Sequence, residues 1–140
     1  MSEAVSKAAA KARPEIRNIH VTQIIGYRMP LAAIVSILHR ISGALLFLAL
    51  PYVLYLFEKS LLTEDTFMHF KGIVEQPLSK LVILALLWAY LHHFIAGFRH
   101  LTQDLHIGLD KDSARKSAAT VLVVSLALTG LVALKLFGVF

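Results

Sequence analysis

Three apolar stretches, Leu31–Phe57, Leu81–Phe98 and Ala118–Leu134, dominate this 140-residue chain. Arg40 is the only formally charged residue in the first, and the other two contain no Asp, Glu, Lys or Arg. A membrane-spanning helix needs about 20 mostly apolar residues, with a usual range of about 17–25. All three stretches qualify, the second with its flanks included. None carries the polar stripe that a surface helix in water requires. Charged residues make up 16% of the sequence and hydrophobic residues 57%, whereas soluble domains carry about 25% charge. So much apolar side chain exceeds what one small globule can bury. The expected fold is all-α: a membrane protein with three transmembrane helices, at about 31–57, 81–103 and 116–138. Pro51 falls inside the first, where neighbouring groups can satisfy the backbone carbonyl it frees.

Residues 1–30 form an expected N-terminal segment, cytoplasmic or interfacial, ahead of a transmembrane domain over 31–140. Ala4–Arg13 reads as a short basic helix, and no apolar run precedes a cleavage site as in a secretory signal. Lys7, Lys11, Arg13, Arg17 and Arg28 precede the first stretch, and Arg99, Lys111, Arg115 and Lys116 follow the second. The opposite side holds only Lys59, Lys71, Lys80 and Lys135. Basic residues concentrate on the cytoplasmic side of membrane proteins, so the N-terminus and the second connection are expected there. The net charge of +5 does not indicate nucleic acid, since the cations sit at the ends of apolar runs. With no cysteine, zinc knuckles and thiolate-held iron–sulfur clusters are excluded. The loops leave little room for a substrate site outside the membrane, so the chain reads as part of an assembly and not as an enzyme by itself.

Each ionisable residue inside a span is a functional hypothesis by default. Ser36 and Arg40 are four apart and share one helix face, with His39 and Gly43 as a second such pair beside them. Counting from Leu31, Arg40 lies about 13 Å deep at 1.5 Å per residue. A hydroxyl and a guanidinium both donate hydrogen bonds, which suits a quinone carbonyl on an otherwise apolar molecule. The alternative is an arginine that snorkels to the interface and a serine bonded to its own helix.

In the second stretch, His92 and His93 point about 100° apart and cannot serve one site together. Ala85, Ala89, Gly97 and His100 share the stripe of His93 at steps of three or four. Small residues beside a histidine leave space for a flat macrocycle, the surroundings of an axial haem ligand. Arg99, His100, Arg40 and His39 would then lie on the propionate side. The alternative is that the small residues only pack helices and the histidines bond across the bundle. His39 and His93 fall at similar depth, so a bis-histidine site within the chain is conceivable, as is a second ligand from another chain. Ser125, Thr129 and Ala133 form a small-residue ridge for helix contact.

Two blocks resemble a known family. Ser36-Ile37-Leu38-His39-Arg40-Ile41-Ser42-Gly43, preceded by Arg13-Pro14 and Tyr27-Arg28-Met29-Pro30, is similar to the first-helix signature of the cytochrome b anchor subunit of succinate dehydrogenase. His93-Phe94-Ile95-Ala96-Gly97-Phe98-Arg99-His100-Leu101, followed by Asp104, is similar to that family's haem helix. The resemblance implies a helical bundle with a second, small cytochrome b anchor subunit, together carrying a flavoprotein subunit and an iron–sulfur subunit. It implies one haem b, with His93 as axial ligand and the other ligand from the small subunit. It places Ser36 and Arg40 at the ubiquinone site, His39 and His100 near the propionates, and Asp104 on a proton path. Two positions depart from the family pattern. His92 stands where many relatives have tyrosine or an apolar residue, making it a second candidate ligand, and Gln103 replaces an apolar residue common before the aspartate.

The resemblance therefore implies a non-catalytic subunit that passes electrons derived from succinate to ubiquinone, in a bacterial inner membrane or, alternatively, a mitochondrial one. Two rivals remain at this stage. One is a purely structural anchor without haem; the other is a small proton- or anion-conducting membrane subunit.

Overall fold

A computed structural model describes residues 20–139. The expected basic helix over Ala4–Arg13, the Arg13-Pro14 pair and the cations Lys7, Lys11, Arg13 and Arg17 lie outside the described residues. The described elements are α1 (Val21–Gly26), α2 (Leu31–Leu62), α3 (Glu64–Glu75), α4 (Pro77–Asp104) and α5 (Lys111–Leu136), with no strand among them. Helices α2, α4 and α5 are long and apolar enough to cross a membrane. The chain is an all-α membrane protein.

The helix boundaries follow local chemistry more than hydropathy. Pro30 precedes α2 in an extended conformation, and its carbonyl accepts from the Ala33 amide at 2.9 Å. The helix runs through Pro51 and past Phe57 to Leu62, beyond the apolar stretch itself. Thr63, extended at φ −148° and ψ 163°, both ends α2 and caps α3. Its hydroxyl accepts from the Thr66 amide at 3.2 Å, and the Thr66 hydroxyl accepts from the Thr63 amide at 3.1 Å. That reciprocal pair satisfies two otherwise orphaned amides. Glu64 and Asp65 in the first turn add favourable charge at the positive end of the helix. The connection between α2 and α4 thus contains a three-turn helix of its own.

Pro77 opens α4 at its first turn, where the missing amide has no partner to lose. The turn into α5 takes His106 to φ 61° and Gly108 to φ 70°, both in the left-handed region. Glycine carries that conformation without a Cβ clash, and His106 is anchored by its amide donating to the Gln103 carbonyl at 2.9 Å. Lys111, Arg115 and Lys116 then crowd the first turns of α5. Cations are unfavourable at a helix N-terminus, so their placement serves something other than helix stability. Membrane topology is the expected reason.

Asp110 offsets part of that charge by capping α5, its carboxylate accepting from the Ser113 amide at 2.9 Å. Hydrogen bonds from the Ser113 side chain and backbone hold this carboxyl below the usual carboxylate range. A lowered folded value means the cap contributes fully above the unfolded value of about 3.9 and is lost as pH falls through the folded one. Asp110→Ala is expected to accelerate exchange of the Ser113 amide at neutral pH, while Asp110→Asn, an equally good cap, preserves protection. Equal exchange rates in wild type and Asp110→Ala would remove the cap from the account.

Helix α4 sits between α2 and α5, and α2 also meets α5. The buried contacts fall at steps of three and four or their sum, mostly on small side chains, with His92 and Arg99 the large exceptions: Val35 and Ser42 on α2, Ala89, His92, Ala96 and Arg99 on α4, and Ala118, Val121, Ser125 and Thr129 on α5. The large apolar residues face outward, with Phe47 74% and Leu48 73% exposed. This arrangement would be unstable in water, and in lipid it is the expected one, since close backbone approach drives helix association there. Ser125 and Thr129 do form part of the packing ridge, their hydroxyls donating to the Leu122 and Ser125 carbonyls at 3.2 and 2.7 Å.

Candidate functional site

The seam between α2 and α4 gathers three histidines. The antiparallel helices carry matching sequences, His39-x-x-x-Gly43 on α2 and His93-x-x-x-Gly97 on α4. In an antiparallel pair this spacing lays each histidine over the other helix's glycine. A Cβ on Gly43 would come within 2.7 Å of His93 Cε1 and 3.1 Å of its Nδ1, while a Cβ on Gly97 would meet His39 Nε2 at 3.8 Å. The His39 and His93 rings stack with centroids 4.1 Å apart and planes 10° from parallel. The His100 ring closes the group, 4.9 Å from His39.

His93 is held by its Nδ1. That atom lies 3.0 Å from the His39 carbonyl oxygen and 3.4 Å from Ser42 Oγ. A carbonyl only accepts, so Nδ1 carries the proton and donates it. In a neutral imidazole the lone pair then belongs to Nε2. Ser42, buried at the seam, donates its own hydroxyl to the same carbonyl at 2.9 Å. Such a bond fixes both tautomer and ring orientation, as is usual for histidines that ligate metals.

His92 occupies different surroundings. It is 0% exposed, on the buried stripe of α4, with a ring nitrogen near the Val35 backbone but no well-aligned hydrogen bond. Its ring tilts against Trp88 at 5.3 Å, whose indole nitrogen is also buried without a partner. Ala89, expected beside His93, shares this buried stripe. Arg99 turns away from the histidines as well. Its Nε donates to Ser117 Oγ at 3.0 Å and Nη2 to the Ala114 carbonyl at 3.4 Å, tying α4 to α5. The expectation that Arg99 joins His39, Arg40 and His100 on one side is therefore corrected: its guanidinium finds its acceptors on α5.

Ser36 is half-buried and Arg40 exposed on α2, and Asp104 is exposed in the last turn of α4. The N-termini of α2 and α5 border a groove of about 600 Å³ whose lining includes Arg28, Lys111 and Arg115. Among the described residues, no three His, Asp or Glu side chains converge on a point where they could hold a bare metal ion. The site instead offers one oriented imidazole and two neighbouring imidazoles, at a seam where His93 packs directly onto Gly43. Sequence reading named Gly43 and Ser42 only as members of α2 and missed their contact with His93. The paired histidine–glycine spacing was the available signal.

Comparison with known proteins agrees with this geometry. Residues 17–132 match the family of succinate dehydrogenase/fumarate reductase transmembrane subunits. The succinate dehydrogenase cytochrome b556 subunit of Coxiella burnetii is 38% identical over 109 residues, covering 77% of this chain and 85% of that protein. The subunit of the same name from Paracoccus denitrificans is 31% identical over 111 residues, covering 79% of this chain and 85% of its own length. That of Rickettsia felis is 27% identical over 121 residues, covering 85% and 94%. Both signature blocks, with their histidines, lie inside the matched region. The chain belongs to the succinate dehydrogenase/fumarate reductase transmembrane-subunit family.

Proposed function

We propose that this chain is the haem-carrying membrane anchor of a succinate dehydrogenase, with His93 as the axial ligand it contributes. The observation that carries the reading is the donation from His93 Nδ1 to the His39 carbonyl, which leaves Nε2 as the free donor. Two further features fit a flat macrocycle. Glycine within a helix is about 1 kcal/mol less favourable than alanine, and Gly97 meets no close contact in this chain that would require it. A planar group lying against α4 would require it. His39 stacks on His93 and His100 lies against His39; with Arg40 they are suited to hold the carboxylates of such a group.

His39 presents its ring face, not a nitrogen, to His93. Stacked in this way, the two rings would not hold one haem between them. The second ligand is therefore assigned to a partner, the small cytochrome b anchor subunit of the proposed complex. His92, enclosed within the chain's own core, is not assigned as a ligand. Bound haem b would supply one-electron redox capacity at this depth. The chain's residues supply the donor atom, its orientation, and positive charge nearby.

Ser36 and Arg40 are assigned to ubiquinone, as hydrogen-bond donors to a carbonyl that enters from the lipid. Asp104, exposed at the end of α4, is assigned to proton delivery towards that site. The basic groove of Arg28, Lys111 and Arg115 lies at the same end of the bundle. It suits the docking of an iron–sulfur subunit and, through it, a flavoprotein, on the cytoplasmic face of a bacterial inner membrane. The relatives' bacterial sources support that membrane.

The test is a succinate-reduced minus oxidised visible spectrum of the complex, purified gently through a tag on this chain. A b-type band reduced by succinate is the expected result. No band with either succinate or dithionite, in an intact complex, would reject the haem assignment and leave a purely structural anchor.

A further inference from the structure

Gly43 and Ser42 touch His93 from the opposite helix, and their effect on it differs from ordinary packing. The His93 ring lies in the space a Gly43 side chain would occupy: even a methyl group there would fall 2.7 Å from Cε1 and 3.1 Å from Nδ1. The ring cannot simply swing aside, because Nδ1 is bonded to the His39 carbonyl at 3.0 Å and its face is stacked on His39 at 4.1 Å. By contrast, a Cβ on Gly97 would meet only ordinary contact, and one on Gly130 meets nothing within 4 Å. Ser42 lies next to Gly43 and shares the acceptor, its hydroxyl 2.9 Å from the His39 carbonyl and 3.4 Å from His93 Nδ1.

From these contacts we infer that Gly43, Ser42 and the His39 carbonyl form a seat on α2 that sets the ring plane and tautomer of His93 on α4. Gly43 and Ser42 are positioning residues: they act through His93 and touch no reacting group. The inference rests on the reading of His93 as a haem ligand for its consequence, although the seat itself is a property of this chain. The ring plane of His93 would influence how its imidazole bonds to a bound haem. The Nδ1–H bond adjusts ligand basicity, and with it redox potential. A span that looks like a structural neighbour of the haem helix thereby tunes its ligand.

The test uses the intact complex with Gly43→Ala, Ser42→Ala and, as control, Gly130→Ala. Two readouts are taken. Nitrogen-15 NMR of histidine-labelled, dithionite-reduced complex reports the protonated Nδ1 of His93. Low-spin EPR of the oxidised complex and a redox titration report the ligand field. Gly43→Ala is expected to shift or abolish the Nδ1–H signal and to move the EPR g-values and midpoint potential. Ser42→Ala should move them less, and Gly130→Ala not at all. Unchanged Nδ1–H and EPR signals in Gly43→Ala would overturn the seat. If Gly43→Ala blocks assembly, Ser42→Ala decides, because it adds no atoms: unchanged signals there overturn the seat equally. Should the wild-type complex contain no haem, the haem reading fails, and the NMR comparison still decides the seat.

Discussion

Replacing His93 by alanine is expected to abolish the b-type absorption of the complex, while replacing His92 by phenylalanine is expected to preserve it. The two residues are adjacent in sequence, yet their surroundings separate their roles. His93 offers Nε2 from a ring fixed through Nδ1. His92 is fully buried against Trp88 and the Val35 backbone, with no well-aligned hydrogen bond, so reaching an external iron would require the core to open. An unpaired buried polar atom costs about 1–3 kcal/mol, which phenylalanine removes, while its greater bulk costs about 1–3 kcal/mol in a tightly packed site. His92→Phe should therefore stay close to wild type in heat stability and keep full haem content per complex. His93→Ala gives up contacts with Gly43, Ser42 and His39 but keeps the fully buried stripe of Ala89, His92, Ala96 and Arg99, so it should assemble with its partners but carry no stoichiometric haem. Measuring haem by pyridine haemochrome and assembly by gel filtration separates these outcomes. Haem loss in His92→Phe together with retention in His93→Ala would reverse the assignment.

What could be read in the sequence depended on the range of the forces involved. The three spans are legible because each needs only its own apolar content, and long uninterrupted runs such as Ala118–Leu134 have no stable alternative outside a membrane or a large core. Helix α3 is set by a local cap that uses Thr66 where the common pattern has Glu or Gln; the exchange of hydroxyl bonds is visible only once the turn is built. Arg99 illustrates a different limit. Helical spacing puts its Cα close to the histidines, but a long guanidinium follows its acceptors, and those lie on α5 at Ser117 and Ala114. The stacking of His39 on His93 needs the crossing geometry of two helices. Even so, matching His-x-x-x-Gly spacings on antiparallel helices lay each histidine over the facing glycine, with a close approach at Gly43, and sequence reading took them singly.

The second large effect is expected at Arg40, where Arg40→Ala should lower succinate–ubiquinone turnover roughly 10- to 100-fold with haem still bound. Arg40 is exposed on α2, one turn beyond half-buried Ser36, about 13 Å from the helix start by helical rise. At that depth the guanidinium is far from free water, so a carbonyl arriving from lipid competes with few alternative acceptors. Hydrogen bonds from charged donors contribute about 1.5–3 kcal/mol, and each 1.4 kcal/mol corresponds to about tenfold in rate or affinity. If Arg40 mainly binds the quinone head group, the loss falls on KM. If it chiefly stabilises charge developing on the reduced carbonyl, the loss falls on kcat. Arg40→Lys should recover part of the activity, because it restores charge but not the planar fork of donors. Reduction of a water-soluble dye by succinate should be unaffected, since that electron leaves before reaching the membrane. A purely snorkelling arginine predicts the opposite pattern: unchanged quinone turnover in Arg40→Ala, with any deficit confined to the amount of complex recovered. Steady-state kinetics on haem-normalised preparations distinguish the two, and unchanged kcat and KM would remove Arg40 from the quinone site.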